Sequence, residues 1–324
     1  MAGVGRRGFL RTTVTAGGAI AAGSVAAGAG TAAAAGEQRR RQAGTRTAQA
    51  TFSWLGNAGW RVEAGGTVLL VDPYLSRYDT GLFGTGLRPA TQLTVAADTV
   101  DAHTAGAKHV LVTHTHWDHF NDVPHIAKTT GARVFGTSTA YNLGLAMGVP
   151  SGQLSPVKGG EVLDLGDVVV EVVSSLHSRN PSWSLLFHGT RLTPPAEPLT
   201  IADLPEGDTL AYQVTVKDGP SVFFTGGSDF VERNAAGLAP DVAMITLQAS
   251  DATYDYVPRL LEALGRPATV VPVHWDNFEV ALANPPAVPD EETGRRLEAF
   301  KAAVRRVAPR SRIVMPEYLT PYRF

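Results

Sequence analysis

The chain has 324 residues, of which 44% are hydrophobic and 18% are charged, values that are ordinary for a globular protein. Its formal net charge of −2 at pH 7 gives no indication of nucleic acid or an anionic membrane surface as a partner, which favours a small-molecule substrate. Cysteine is absent, and this excludes disulfides, thiolate zinc sites and cysteine nucleophiles. Any bound metal would therefore be held by imidazole and carboxylate groups.

The N-terminal segment has the pattern of a twin-arginine export signal. The pair Arg6 and Arg7 precedes an apolar dipeptide and a long stretch rich in alanine and glycine. We expect residues 1–35 to be a signal peptide cleaved near Ala35, so that the protein becomes secreted, periplasmic or associated with the cell wall. Alanine and glycine at this density are too weakly hydrophobic for stable membrane insertion after cleavage. Residues 36–50 are polar and basic, which predicts a flexible linker.

From residue 51 onwards, short apolar runs alternate with glycine and proline turns, and this predicts a single domain over residues 51–324. Strands are expected at 51–55, 60–64, 67–71, 109–113, 167–173, 209–216, 221–225, 241–246, 268–273 and 312–315. Helices are expected at 122–128, 138–147, about 254–264 and 290–307. A proline-rich stretch at 191–208 is expected to form a long surface loop. Strand-rich halves that are each flanked by helices predict sheets packed together with helices outside.

The densest group of chemically active side chains is HTHWDH, residues 114–119, in a chain that has nine histidines in all. His114 and His116 follow an apolar strand at a spacing of two, so their side chains leave on the same side and can bind one ion. Asp118 and His119 follow where the chain turns toward a helix, and they can face a second position nearby. Imidazole with carboxylate suits Zn, Mn or Fe.

A second segment repeats part of this cluster. HWDHF at 116–120 recurs as HWDNF at 274–278, with four of five residues identical and an apolar strand before each copy. Chance recurrence is the alternative, but the shared position after a strand predicts that two strand ends face one site.

The pattern His114-x-His116-x-Asp118-His119 resembles the HxHxDH signature of the metallo-β-lactamase superfamily, and the similarity extends over most of residues 51–320. Residues 54–76 are similar to the branch that contains the ascorbate-6-phosphate lactonases and N-acyl-phosphatidylethanolamine phospholipase D. The resemblance implies an α+β fold, a four-layer αββα sandwich whose sheets are mixed or mostly antiparallel.

The resemblance also implies two divalent metal ions, with zinc favoured and manganese or iron as alternatives. One ion would be bound by His114, His116 and His177, and the other by Asp118, His119 and His274. In the sequence itself, His177 and His274 each end an apolar run, where a buried imidazole needs a partner. A hydrogen-bonded core histidine is the alternative at both positions.

One segment departs from the family pattern. Members of the family normally place a metal-bridging aspartate in a Thr-Gly-Asp-Thr segment after a strand, but here the text is FFTGGSDF, residues 223–230. Aligned without a gap, Gly227 takes the place of the aspartate. A shift of two residues would let Asp229 supply the carboxylate, and this is the expectation. Otherwise the site would hold one metal tightly or bridge its ions by water alone.

Several neighbouring residues are assigned supporting roles. Asp72 ends a buried strand and is expected to orient a ligand imidazole, the alternative being a simple turn aspartate. Residues 178–208 are expected to wall the pocket and set specificity, with His188 and Trp183 as candidate substrate contacts. Asp122 and His125, one helical turn apart, are expected to form a surface pair.

The expected chemistry is hydrolysis. Two adjacent cations lower the pKa of a bound water and polarise the scissile group, and Asp118 orients that water or accepts its proton. Asp118 and His274 are therefore the candidate catalytic residues. A lactone, an ester or a phosphodiester would suit such a site. The alternatives are a di-iron redox protein on the same fold and a non-catalytic metal-binding scaffold.

Overall fold

The computed structural model describes residues 50–180 and 182–324. The expected signal peptide at 1–35 and nearly all of the expected linker lie outside the described residues. Ala50, expected as the last linker residue, is instead the buried first residue of a strand. In the described part of the chain, no helix is long and apolar enough to cross a membrane.

The strands of the described residues form two seven-stranded sheets. In chain order they are β1 (Ala50–Gly56), β2 (Gly59–Ala64), β3 (Thr67–Val71), β4 (His109–Leu111), β5 (Arg133–Gly136), β6 (Leu154–Pro156), β7 (Val162–Asp164), β8 (Val168–Ser174), β9 (Leu210–Val216), β10 (Ser221–Thr225), β11 (Val242–Thr246), β12 (Thr269–Val273), β13 (Arg312–Ile313) and β14 (Pro321–Tyr322). All ten strands expected from the sequence are confirmed. The short strands β5, β6, β7 and β14 were not among them, because they carry too little alternation to be recognised by periodicity.

The α-helices of the described residues are α1 (Ala97–Thr104), α2 (Trp117–Phe120), α3 (Val123–Thr130), α4 (Ser138–Ala146), α5 (Glu232–Ala235), α6 (Tyr256–Ala263) and α7 (Glu291–Val307). Short 3-10 turns occur at Ser151–Gln153, Ile201–Asp203 and Ser250–Ala252. The four helices expected from the sequence are confirmed as α3, α4, α6 and α7.

Both sheets are mixed. The first has the order β14-β1-β2-β3-β4-β5-β6, antiparallel from β14 to β3 and parallel from β3 to β6. The second has the order β13-β12-β11-β10-β9-β8-β7, antiparallel from β7 to β10 and parallel from β10 to β13.

Alternation along the strands separates two layers of core. In β3, Leu69 and Val71 belong to the core shared with the second sheet, whereas Leu70 faces the other way and packs with Ile126 of α3. On the far side of the second sheet, Phe300 of α7 packs into the hydrophobic core. The layers run helix, sheet, sheet, helix, and the αββα architecture is confirmed.

The expected surface pair of Asp122 and His125 is wrong. Asp122 is fully buried and its carboxylate accepts hydrogen bonds from the backbone N–H groups of Leu75 and Ser76, at 2.6 and 2.9 Å. His125 contacts Asp101 instead, at 2.9 Å. Because α3 begins at Val123, the Asp122 side chain lies at the end of the helix and turns back to fix the loop after β3.

Candidate metal centre

The site is assembled at one edge of the sheets, where several strands end. His114 lies three residues after β4, His177 three residues after β8, and His274 directly after β12. The strands β8 and β10 both pair antiparallel with β9, and β10 to β12 run parallel, so their carboxyl ends share an edge. The sequence repeat therefore does bring two strand ends to one site, with the ring nitrogens Nε2 of His119 and His274 only 3.3 Å apart.

Six side chains form two compact groups. Within each group, the potential ligand atoms lie within 4.8 Å of one another. Group one is His114, His116 and His177, and group two is Asp118, His119 and His274. All are buried except His177, which is half-buried. These are the two sets that the resemblance implies.

In group one, the outward ring nitrogens of two histidines are occupied by backbone acceptors. His116 Nε2 lies 2.7 Å from the carbonyl oxygen of Leu186, and His177 Nδ1 lies 2.7 Å from that of Ser178. A carbonyl can only accept a hydrogen bond, so each of these nitrogens carries the proton. His116 Nδ1 and His177 Nε2 therefore present lone pairs.

The same reasoning assigns the third histidine of group one. The hydroxyl of Thr113 donates to Asp72 and so accepts from His114 Nδ1, which lies 3.1 Å away. His114 Nε2 is left with a lone pair, 3.1 Å from the lone pair of His116 Nδ1. Two lone pairs at this distance repel unless a cation lies between them.

Group two has a similar arrangement. His119 Nδ1 donates to Asp72 Oδ2 at 2.8 Å, so its Nε2 faces inward. Asp118 Oδ2 lies 3.6 Å from His119 Nε2 and 3.1 Å from His274 Nε2. His274 Nδ1 is buried and has no hydrogen-bond partner among the described residues. The imidazole and carboxylate atoms of the two groups thus form donor sets that fit two divalent cations.

The electrostatics keep His114, His116 and Asp118 in the forms that bind metal. Burial, followed by the neighbouring imidazoles, holds the pKa of His114 well below its ordinary value, and burial lowers the pKa of His116 to about 3. Although burial opposes ionisation, the His119 and His274 side chains hold the pKa of Asp118 well below its usual range. Neutral imidazoles and an ionised carboxylate are the forms that coordinate a metal.

His119 differs from the other histidines because two carboxylates contact it. Burial lowers its pKa, but Asp118 and Asp72 outweigh that effect and raise it. Asp72 is fully buried, and its Oδ1 accepts the backbone N–H of Thr113 at 2.7 Å. The contact expected of Asp72 is therefore present, since this carboxylate fixes the proton on His119 Nδ1.

Asp229, expected as the bridging carboxylate, belongs to neither group. Its Oδ1 accepts the N–H of the next residue at 2.8 Å, and its backbone pairs with Leu176 in an isolated bridge. The two glycines that precede Ser228 and Asp229 lie close to other segments of the chain. A Cβ on Gly226 would lie 1.8 Å from Thr113 Oγ1, and one on Gly227 would lie 2.8 Å from the carbonyl oxygen of Leu176. No carboxylate therefore fits at position 227 without moving the backbone. Asp229, two residues later, lies outside both ligand groups.

The loop after His177 covers the site with other residues than expected. Trp183 is 73% exposed, and His188 is also exposed. Instead, the carbonyl of Leu186 binds His116, and the Phe187 ring centroid lies 6.2 Å from that of His116. A backbone carbonyl gives no sequence signal, so this contact could not be foreseen.

Asn57 is a contact that sequence reasoning missed. Its side-chain Nδ2 donates to the carbonyl oxygen of Asp118 at 2.6 Å and lies 3.3 Å from Asp118 Oδ2. Its one sequence signal is an asparagine between glycine and alanine, which a tight turn explains equally well.

Comparisons with known proteins agree with this arrangement. The profile of the β-lactamase superfamily domain matches residues 51–274. A UPF0173 metal-dependent hydrolase of Pyrobaculum calidifontis is 28% identical over 260 residues, which is 78% of this chain and 93% of that protein. Another from Anaeromyxobacter dehalogenans is 30% identical over 245 residues, 72% of this chain and 77% of that protein.

A solved structure shares the fold. Igni18, a metallo hydrolase from Ignicoccus hospitalis, superposes with a TM-score of 0.51 at 18% identity, over 85% of this chain and 98% of that one. The sequence profile and the relatives together cover most of the described residues, including both ligand groups. The chain belongs to the metallo-β-lactamase superfamily.

Proposed function

We propose that this protein is a metal-dependent hydrolase of a lactone, an ester or a phosphodiester, with two divalent cations, zinc foremost, bound by groups one and two. The matched relatives carry the name metal-dependent hydrolase, which supports the general activity. The choice of bonds follows from the similarity of residues 54–76 to the lactonase and phospholipase D branch.

One observation carries the proposal: in group one, His114 Nε2 and His116 Nδ1 point lone pairs at each other while the ring N–H groups point outward, and in group two His119 likewise donates its outward N–H to Asp72. Such an arrangement is costly without a cation and suited to one. When bound, two such cations supply Lewis-acid activation of water and of the scissile group.

The protein's own residues handle protons and exclude solvent. Asp118 Oδ2 lies in group two beside His274 Nε2, at 3.1 Å, and stays ionised, so it is the group placed to accept a proton from an attacking water. Phe187 and the Leu186 carbonyl cover His116 and limit access of bulk water.

A cavity of about 510 Å³ reaches group one at His177 and is large enough for a small-molecule substrate. It is lined by His177, Asp229, Arg179 and Leu185, among others. Asp229 is therefore assigned to the wall of the substrate cavity. Arg179 Nη1 donates to the carbonyl of Trp183 at 3.1 Å. This hydrogen bond connects the exposed Trp183 to a residue of the cavity wall.

The test combines metal analysis of the purified protein with a panel of bis-p-nitrophenyl phosphate, a p-nitrophenyl ester and simple lactones. We expect about two zinc or manganese ions per chain and turnover of at least one substrate class, lost in His116→Ala. Lys217→Ala, an exposed substitution, serves as the control. Two metals without turnover of any substrate would support a non-catalytic scaffold, and two irons would support redox chemistry. Either result overturns the proposal.

We also propose export by the twin-arginine route, supported by Arg6 and Arg7 ahead of the alanine- and glycine-rich stretch. Cell fractionation should find the wild-type protein outside the cytoplasm, shortened near Ala35. The double substitution Arg6→Lys and Arg7→Lys should retain it inside at full length. Equal export of both forms would contradict the proposal.

A further inference from the structure

Asn57 lies in the turn between β1 and β2, and three of its polar groups contact two distant segments, one at Asp118 and the other at His274 and Asp276. Its side-chain amide donates to Asp118, its backbone carbonyl accepts the N–H of His274 at 2.9 Å, and its own N–H donates to Asp276 at 3.0 Å. Asp118 comes from the first sheet and His274 from the second. Asn57 therefore joins the two ligands of group two that come from different sheets.

The conformation of Asn57 is unusual in a way that serves this contact. Its φ of 52° is in the left-handed region, which asparagine tolerates better than most residues. His274 also has a positive φ, of 58°. Sparsely populated backbone conformations persist where the surrounding contacts determine them, and here both residues are held by the same hydrogen bond between their main chains.

The side-chain Nδ2 of Asn57 donates to Asp118, whereas the side-chain Oδ1 is left without a partner in the described part of the chain. Asn57 is fully buried, and its Oδ1 has no hydrogen-bond partner among the described residues. A buried polar atom without a partner destabilises the fold, so the amide is not explained by stability. Its donors are used on the carbonyl oxygen and Oδ2 of Asp118 alone.

A buried ion pair fixes the position of Asn57. Asp276 accepts the Asn57 N–H through Oδ1, while its Oδ2 pairs with Arg77 at 2.9 Å and accepts the Tyr318 hydroxyl at 2.8 Å. Both charged side chains are at most 2% exposed. Because Asp276 is held on its other oxygen, it anchors Asn57 without contacting the metal ligands itself.

We propose that Asn57 is a positioning residue of group two, which sets the direction of the Asp118 carboxylate and thereby the metal affinity of that group, while group one is independent of it. The inference rests on the proposed function only in taking group two as a metal site. It assigns no step of hydrolysis to Asn57.

The test measures metal binding directly, in the holoprotein and after chelation, by competition with a chromophoric chelator. Asn57→Gly removes the amide and keeps a residue that accepts the left-handed backbone. We expect one of the two sites to weaken by about 10- to 100-fold and the other to keep its affinity. Tyr318→Phe is the matched control, because it removes a hydroxyl from the same buried network without touching Asp118.

Unchanged affinity at both sites in Asn57→Gly, or equal weakening of both, would overturn the inference. So would the same selective loss in Tyr318→Phe. Because binding is measured apart from turnover, an absence of hydrolysis in the wild-type protein would refute the proposed function and leave this result standing.

A measurement on the wild-type chain covers the case in which Asn57→Gly does not fold. In ¹⁵N-labelled protein, the side-chain amide protons of Asn57 should exchange slowly with solvent and shift as the second metal equivalent is added. Fast exchange, or a signal that no metal equivalent moves, would contradict the contact with Asp118.

Discussion

The two copies of the His-Trp-Asp segment, residues 116–120 and 274–278, share four of five residues but have different roles. In the first copy, His116, Asp118 and His119 all belong to the metal groups, and the segment runs into α2. In the second copy, only His274 does so, because Asp276 pairs with Arg77. Both copies bury the tryptophan and the phenylalanine that follow, so the shared residues reflect shared packing as much as shared chemistry.

The difference arises from the backbone after each histidine. His116 has a φ of −59° and precedes a helix, which turns Asp118 and His119 back toward the site. His274 has a φ of 58°, and no helix follows within residues 274–280. The same three residues therefore bring their aspartates to different groups of Asn57, Asp118 to the side-chain amide and Asp276 to the backbone N–H. Sequence identity over a short segment does not transfer a residue's role when the backbone changes direction.

The largest effect should come from the aspartate of the first copy. In Asp118→Asn the carboxylate that accepts the proton is lost, and we expect turnover to fall by about 10²- to 10⁴-fold. Steady-state kinetics on the best substrate of the panel measure this. Asp101→Asn, at an exposed aspartate that contacts His125, should retain full turnover. Activity of Asp118→Asn within a few-fold of wild type would remove Asp118 from the reaction.

The aspartate of the second copy should matter for stability instead. Asp276→Ala leaves the buried Arg77 guanidinium without its partner, and we expect the free energy of unfolding to fall by about 3–5 kcal/mol. Urea denaturation of the metal-free protein measures it. Lys217→Ala, which removes an exposed pair with Asp164, should leave the stability nearly unchanged. Equal effects of the two substitutions would contradict the structural role.

An intermediate effect is expected from the carboxylate behind His119. Asp72→Asn weakens the acceptor that holds the proton on His119 Nδ1, so the metal affinity of group two should fall by about 10- to 100-fold. Isothermal titration of the metal-free protein with zinc measures this. Asp241→Asn, in a carboxylate that accepts from Ser221 away from the site, is the control. The role of Asp72 would be refuted by zinc binding that matches wild type.

The smallest effect should follow from completing the repeat. Asn277→His makes the second copy identical to the first, yet position 277 follows no helix start and its backbone carbonyl accepts from Arg77. We expect the number of bound metals to stay the same and each affinity to remain within about twofold, the range of an ordinary substitution away from a site. Metal analysis and titration would show it. A third bound metal would mean that the residue types of the motif, and not the backbone conformation, decide whether it binds metal.

Part of the site was predictable because it is local. His114 and His116 are two residues apart after a strand, and a strand fixes the side on which alternate residues emerge. The pairing of these with His177 came from family resemblance, and the structure places the three together. A supporting contact of Asp72 to a ligand imidazole is expected because a buried carboxylate at a strand end needs a partner, and the structure identifies that imidazole as His119.

The unpredicted part depends on how distant backbones pass one another. The close packing of Gly226 and Gly227 against Thr113 and Leu176 leaves no room for a carboxylate at position 227, and no local sequence pattern records this packing. The proton on His116 Nε2 was decided by a backbone carbonyl in the loop, at Leu186. Backbone acceptors are identical at every residue, so sequence cannot select among them.

The sequence by itself determined the longer strands, the larger helices and the ligands of the HxHxDH segment, because periodicity and ligand spacing are properties of neighbouring residues. The superfamily, and the assignment of His177 and His274 to the metal groups, came from the family resemblance. Only the tertiary structure decided the direction of each imidazole lone pair, the removal of Asp229 from the ligand groups and the contact of Asn57 with Asp118. The physical reason is that these depend on hydrogen bonds and close packing between segments far apart in the chain, 61 residues in the case of Asn57 and Asp118.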